Sequence, residues 1–252
     1  MRYVLAAGNV DLLAQLAWSQ VLLAFDFDGT LAPIVRDRDS AQMRPRTRRL
    51  FARVCDAYPC AVISGRSHSD VSGRLGGATP RFVVGNHGIE PGSPLDSYVT
   101  AVEAAEQILR TTLGGRPGIE FENKRFSLSI HYRKSRRKTE CRAEIDQAVS
   151  RLPVPMRSIP GKLVVSLLPA GAPNKGDAIV HLREQAGADT ALFVGDDLTD
   201  EDIFALDQPG RLQTIRVGAS RQSSAHYFLR SQVEIDVLLE KLAHYRAEAA
   251  VR

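Results

Sequence analysis

Asp26 and Asp28 stand two residues apart in Phe25-Asp26-Phe27-Asp28-Gly29-Thr30, directly after the apolar run Val21-Leu22-Leu23-Ala24. An Asp-Gly turn alone is ordinary turn chemistry. The second carboxylate, with no base beside it in the sequence, points to metal binding or reaction chemistry. Three further groups of reactive types follow apolar runs or open helices: Ser64 after Cys60-Ala61-Val62-Ile63, Lys175 before Gly176, and Asp196, Asp197 and Asp200 after Thr190–Val194. Each has a structural reading taken singly, because Ser64 could cap a helix, Lys175 could be solvated, and the later acids suit a helix N-terminus. Taken together they ask for a cation, since neighbouring carboxylates repel. An all-oxygen donor set suits Mg²⁺ rather than zinc.

The elements that must position these groups are short. Val21–Phe25, Cys60–Ile63, Arg81–Val84 and Thr190–Val194 read as buried strands of a parallel sheet, and Leu212–Val217 as one more. Helical spacing is read in Asn9–Ser19, where Trp18 is expected to pack, in Arg46–Tyr58, after Ser64-Gly65-Arg66-Ser67 through Asp70 and Leu75, in Gly176–Ala186 and in Val233–Ala250. Ala32–Arg44 reads as a loop. This alternation predicts a Rossmann-like, doubly wound α/β core. Ligands of such sheets bind beyond the carboxyl ends of the strands, so the reactive groups should converge there.

Pro91-Gly92-Ser93-Pro94 interrupts the rhythm. Val99–Leu113 and Thr139–Leu152 then read as helices, and Ile119–Phe121, Phe126–Tyr132 and Leu163–Leu167 as strands. Strict alternation in Phe126-Ser127-Leu128-Ser129-Ile130-His131-Tyr132 predicts a half-buried strand of an antiparallel sheet. The expected organisation is a core of residues 1–92 and 169–252 carrying an inserted α+β unit, residues 93–168, of roughly 75 residues.

Composition narrows the class. With 252 residues, 44% of them hydrophobic, the chain can bury a sizeable core. No run reaches transmembrane length and Met1–Gly8 does not resemble a secretory signal, so a cytoplasmic protein without a membrane partner is expected. Cys55, Cys60 and Cys141 fit neither a disulfide framework nor zinc spacing. A pI near 9.1 invites a nucleic-acid reading. The excess charge lies in seven arginines of Arg36–Arg53 and eight basic residues of Lys124–Arg142, for which solvated faces are the expectation. Nucleic acid is not an expected partner, and a monomer or weak dimer is.

The ordered set Asp26-Phe27-Asp28-Gly29-Thr30, Ser64, Lys175 and Gly195-Asp196-Asp197-Leu198-Thr199-Asp200 resembles the four motifs of the haloacid-dehalogenase-like phosphatase superfamily. Ile63-Ser64-Gly65-Arg66-Ser67, Gly85-Asn86-His87-Gly88, Leu128–Arg133, Gly161-Lys162-Leu163-Val164-Val165, Lys175-Gly176 and Gly195–Glu201 are most similar to trehalose-6-phosphate phosphatases. The resemblance implies a sugar-phosphate substrate and Mg²⁺ as cofactor. It makes Asp26 the nucleophile, Asp28 the acid and base, Ser64 a donor to the phosphoryl group and Lys175 its charge stabiliser, with Thr30 orienting the loop. The metal would be held by Asp26, the Asp28 carbonyl and Asp196, supported by Asp197 or Asp200. Substrate contacts fall to Ser64, Gly65, Arg66, His87 and Glu90, and within the insert, which resembles the superfamily's cap, to Lys124, His131, Arg133 and Lys162.

Two positions depart from the pattern. Ser166 stands where the family usually carries a Glu that binds sugar hydroxyls, and Leu168 replaces a usual polar or basic residue. One hydroxyl does not replace a carboxylate accepting two hydrogen bonds. A phosphatase for trehalose 6-phosphate and one for another disaccharide or cyclitol phosphate are therefore both open. A nucleic-acid binder on a retired enzyme fold and a silent sugar-phosphate sensor are the readings from other classes.

Overall fold

The computed structural model describes residues 1–91, 96–161 and 163–251. The chain divides into two compact units, Met1–Glu90 with Asn174–Arg252, and Pro91–Pro173. The expected boundary at Gly92–Ser93 lies outside the described residues.

The first unit contains strands β1 (Arg2–Tyr3), β2 (Val21–Phe25), β3 (Cys60–Ile63) and β4 (Phe82–Val84), and helices α1 (Val10–Trp18), α2 (Pro45–Ala57) and α3 (His68–Gly73). In the second are α4 (Asp96–Leu113), β5 (Glu120–Asn123), β6 (Leu128–His131), α5 (Lys138–Ser150), β7 (Met156–Gly161) and β8 (Val164–Pro169). The chain then returns to the first unit with α6 (Lys175–Ala186), β9 (Thr190–Gly195), α7 (Glu201–Phe204), β10 (Leu212–Val217), β11 (Tyr227–Leu229) and α8 (Ile235–Val251).

The first unit is a seven-stranded sheet in the order β1-β11-β10-β9-β2-β3-β4, with every pairing parallel. Burial on both faces explains the unbroken apolar run of β2. Val21, Leu23 and Phe25 join a core with Leu13 and Leu16 of α1, Leu50, Phe51 and Val54 of α2, and Leu238 and Leu242 of α8. Leu22 and Ala24, pointing the other way, join Ile179 and Leu182 of α6 and Phe204 of α7. Strand order proceeds outward in opposite directions from the adjacent pair β2 and β9, which makes that pair the switch point of the sheet. Asp26 and Asp196 are the residues immediately beyond those two strands.

Trp18 does not pack as expected. It is 61% exposed, because Leu13, Leu16 and Ala17 take the inward positions of α1 and the next residue turns to solvent. β1 and β11 were not foreseen in the sequence, being two and three residues long and too short to show a period.

The second unit is an antiparallel sheet in the order β5-β6-β8-β7. Val102, Leu109 and Leu113 of α4 and Cys141 and Ile145 of α5 cover one face, meeting Leu128, Ile130, Val165 and Leu167. β6 is not half-buried: Ser127 and Ser129 are as inaccessible as their apolar neighbours. Ser129 is a residue of a central strand, and its Oγ lies 3.1 Å from Ser166 Oγ on β8, so the hydroxyls satisfy each other. β7 escaped sequence reading because Pro160 and Gly161 disguise it, and Pro160 is tolerated because β7 is an edge strand. β8 runs on to Pro169, paired with Met156, so the whole strand belongs to this unit.

Candidate active site

Asp26 follows β2 directly, and its backbone N–H donates to Val194 O at 2.8 Å, which fastens it to β9. Its carboxylate is buried, and Lys175 Nζ donates to Asp26 Oδ1 at 2.8 Å and to Asp200 Oδ1 at 2.7 Å. Lys175 is the first residue of α6, whose start is fixed by a reciprocal cap between Asn174 and Asp177. A local cap therefore delivers an ammonium to the end of a strand 149 residues away.

Asp200 is fully buried, and its other oxygen, Oδ2, accepts the N–H groups of Asp196 at 2.8 Å and Asp197 at 3.0 Å. A Cβ at Gly195 would stand 2.3 Å from Asp200 Oδ2, so the turn after β9 closes this tightly only around glycine. Asp197 turns away and accepts from the Leu198 N–H, capping the short turn Leu198–Asp200.

Asp26, Asp196 and Asp200 each place a carboxylate oxygen within 4.8 Å of the others. Three acids share one ammonium, so the cluster is short of positive charge. Burial pushes the Asp26 carboxyl well above the usual range, Lys175 opposes, and Asp200 and Asp196 add to the rise. Asp196 is pushed up to about 8, by burial first and by Asp200 and Asp197 next. Burial alone would lower the Lys175 ammonium, but Asp200 and Asp26 reverse this and hold it above its ordinary range. Asp196 Oδ1 is buried and has no hydrogen-bond partner among the described residues. An unpartnered carboxylate oxygen inside an acid-rich, oxygen-only cluster is what a hard divalent cation fits.

Asp28 points elsewhere. Arg66 donates from Nε to Asp28 Oδ2 and from Nη2 to Asp28 Oδ1, both at 2.7 Å, a bidentate pair. Ser64 closes β3 in a buried position, with its Oγ accepting from the Arg66 N–H at 3.1 Å. Its backbone is pinned on both sides: the Ser64 N–H donates to Val84 O and its carbonyl accepts from the His87 N–H, each at 2.9 Å. Gly65 allows this closeness, since a Cβ there would lie 2.5 Å from the His87 ring. Asn86 and His87 both have positive φ, 48° and 60°, an uncommon conformation for residues with side chains. Glu90 braces that turn, accepting at Oε2 from the His68 N–H at 2.7 Å and from Asn86 Nδ2 at 2.6 Å. Thr30 is fully buried, and Gln232 Nε2 donates to its carbonyl at 2.8 Å.

Within the second unit, Lys124 and His131 meet at a residue that sequence reading missed. Glu122 Oε2 lies 3.0 Å from His131 Nε2 and 3.8 Å from Lys124 Nζ. The strand register puts Glu122 opposite Ser129, and Ser129 opposite Ser166, in one row across the sheet. The signal was present as period-two alternation around the inward Phe121, which places Glu120 and Glu122 on the other face. Arg133 lies exposed in the turn after β6. Lys162 lies outside the described residues.

The arginine-rich segments are laced with acids. Arg46 pairs with Glu240, Lys134 with Glu120, Arg137 with Glu140 and Arg142 with Asp146. Among the described residues no helix is long and apolar enough to cross a membrane.

A sequence profile of the trehalose-phosphatase family matches residues 24–232, from within β2 to beyond the last motif. The chain belongs to this family. It is 31% identical over 252 residues to the trehalose-phosphate phosphatase of Mycobacterium tuberculosis, an alignment covering 92% of this chain and 64% of that protein. With the corresponding protein of Mycolicibacterium paratuberculosis it shares 34% over 241 residues, 87% of this chain and 61% of the relative. The chain thus spans less than two thirds of the length of these relatives. The C-terminal domain of Candida albicans trehalose-6-phosphate phosphatase superposes with a TM-score of 0.76 at 24% identity, over 94% of this chain and 97% of that one. The C-terminal domain of the Candida albicans trehalose synthase regulatory protein also superposes, at 0.63 and 13% identity over 89% and 94% of the two chains. At these identities the superpositions show a shared fold, and the chemistry rests on the residues themselves.

Proposed function

We propose that this chain is a Mg²⁺-dependent phosphatase that hydrolyses trehalose 6-phosphate to trehalose and phosphate through a phosphoryl group carried on Asp26. The observation that carries the reading is the buried Asp26 carboxylate, held by Lys175 beside the partnerless Asp196 Oδ1. The names of the relatives and the family membership support this substrate.

Asp26 is the nucleophile, and Lys175 fixes its carboxylate while stabilising charge on the group in transfer. Asp28 gives its proton to the departing sugar oxygen and then takes one from the attacking water. Ser64 donates its hydroxyl to a phosphoryl oxygen. Asp26, Asp196 and the backbone carbonyl of Asp28 would hold Mg²⁺, with Asp200 bracing the loop behind them. When bound, the ion supplies the positive charge that lets a dianion approach an anionic carboxylate. Gly65 and His87 line the phosphate side of the site, Arg66 acts on the substrate through Asp28, Glu90 sets its turn, and Lys124, His131, Arg133 and Lys162 of the cap read the sugar. Glu122 joins them as the acceptor of sugar hydroxyls. Cys55, Cys60 and Cys141 are free thiols, which fits a reducing cytoplasm, and the chain acts as a monomer or weak dimer.

A second substrate reading has one observation in its favour. Ser166 Oγ is engaged by Ser129 Oγ at the position where the family pattern has a carboxylate, which suits a different disaccharide or a cyclitol phosphate. Phosphate release across a sugar-phosphate panel, with Mg²⁺ and with EDTA, tests both readings. Trehalose 6-phosphate should be the best substrate, and the activity should vanish in EDTA. A panel led by another sugar phosphate selects the second reading, and silence throughout removes the phosphatase assignment.

A further inference from the structure

Asp28 is the group that must hand a proton to the sugar oxygen, yet its carboxylate is not positioned by its own loop. Both its oxygens are gripped by Arg66, through Nε and Nη2 at 2.7 Å each. A guanidinium offers five N–H donors in a fixed plane, so what holds its far edge decides where its near edge points. That far edge is held by Asp70: Arg66 Nη1 donates to Asp70 Oδ2 at 2.7 Å. Asp70 is in turn held through its second oxygen, Oδ1, by Arg74 Nε at 2.7 Å. Arg74 is tied to the main chain by Nη1, which donates to Asp39 O at 2.8 Å and Ala41 O at 2.9 Å. Arg66 has one further anchor, Nη2 to Arg38 O at 2.8 Å, and its guanidinium carbon lies 5.7 Å from the Phe27 ring centroid.

We propose that Asp70, a residue given no role above, is a positioning residue for leaving-group protonation, acting through Arg66 on the Asp28 carboxyl. The proposal rests on the phosphatase reading. In the step concerned, the bond between phosphorus and the sugar oxygen breaks and a bond from phosphorus to an Asp26 oxygen forms, while Asp28, which enters protonated on one oxygen and held by Arg66 through the other, passes that proton to the sugar oxygen and becomes the carboxylate that Arg66 pairs through both oxygens. Attack by Asp26 does not involve Asp70. Delivery of the proton does, because the angle at which Arg66 presents Asp28 is set by the Arg66–Asp70–Arg74 chain.

Two features make Asp70 a fair target. Its side chain is 37% exposed and lines a cavity of about 510 Å³, so truncation opens no void in a packed core. It is the third residue of α3, and the Oγ of the Ser67 cap accepts from the Asp70 N–H, not engaging its carboxylate. Replacing the acid therefore leaves the cap in place.

The test compares leaving groups. An alkoxide leaves poorly without a proton, whereas p-nitrophenolate leaves without one, and kcat/KM reports events through the first phosphoryl transfer. Asp70→Asn should lower kcat/KM for trehalose 6-phosphate by about tenfold to a hundredfold, a part of the roughly hundredfold or more that general-acid catalysis supplies. For p-nitrophenyl phosphate the loss should stay under about threefold. Arg74→Gln, one link further out, should show the same leaving-group bias more weakly. Asp70→Glu, which keeps the charge, should recover part of the loss on the sugar phosphate alone. Equal losses on both substrates, or no loss on either, would overturn the proposal. If the unaltered chain turned over neither substrate, the phosphatase reading itself would have failed, a separate result.

Discussion

A Cβ placed on Gly29 would stand 2.1 Å from Oδ2 of Asp196. The loop that follows β2 and the loop that follows β9 are thus fitted to each other at the acid cluster, and Gly29 also has a φ of +81° that side chains disfavour.

Gly29→Ala should therefore push the Asp196 carboxylate out of the cluster. Phosphatase activity should drop by about a hundredfold or more, since catalytic geometry is lost with small displacements. The fold should persist, because both faces of the sheet are untouched. Circular dichroism with activity measured on the same sample checks this, and near-normal turnover would contradict it.

Lys175 carries the only ammonium that bonds to Asp26 and Asp200 among the described hydrogen bonds. Lys175→Met removes it and leaves two buried carboxylates facing each other. Loss of one partner from a buried ionic cluster costs about 3–5 kcal/mol. Urea unfolding in EDTA should show that loss, and Mg²⁺ should recover a part of it. A variant as stable as the parent would mean that the acids find other partners.

The position of Asp196 gives a pH dependence with a definite sign. Its folded carboxyl titrates at about 8, above its ordinary value of 3.8. In cation-free protein its stabilising contribution is complete below that ordinary value and is lost as pH rises through about 8. A cation binding below this point must displace the proton, so affinity for Mg²⁺ should climb with pH towards about 8 and then level off. Calorimetric titrations in buffers of differing ionisation heat should show proton release on the acid side only. Affinity independent of pH across this window would contradict the charge assignment.

In the second unit, Glu122 gathers His131 and Lys124 on the sheet face away from α4 and α5. Glu122→Gln should raise KM for trehalose 6-phosphate by about tenfold, the effect of losing charge-assisted hydroxyl contacts. It should change kcat/KM for p-nitrophenyl phosphate little. Equal changes on the two substrates would place Glu122 outside sugar recognition.

The parallel core was legible because burial on both faces writes an unmistakable apolar run into β2, β3 and β9. The reactive groups were legible for a related reason, since a turn after each such strand must carry whatever chemistry the sheet edge holds. What the sequence did not disclose are side-chain directions. Nothing in the order of residues shows that Asp28 turns to Arg66 while Asp26 turns to Lys175, or that Asp197 caps a turn while Asp200 braces two N–H groups. Short and interrupted strands are lost as well: β1 and β11 are too short for a period and β7 is interrupted by proline. Glu122 is hidden because the two glutamates of a four-residue strand, Glu120 and Glu122, both look like solvated positions until His131 is placed beside one of them.

In the proposed mechanism phosphorus passes from the sugar oxygen to Asp26. Rapid mixing of the chain with trehalose 6-phosphate and Mg²⁺, acid quenching within the first turnover, and mass spectrometry of the peptide containing Asp26 tests it most directly. A phosphoryl adduct on Asp26 that appears within that turnover, and is absent from Asp26→Asn, is the predicted result. Phosphate release with no adduct on that peptide, or with the adduct on another residue, would contradict it.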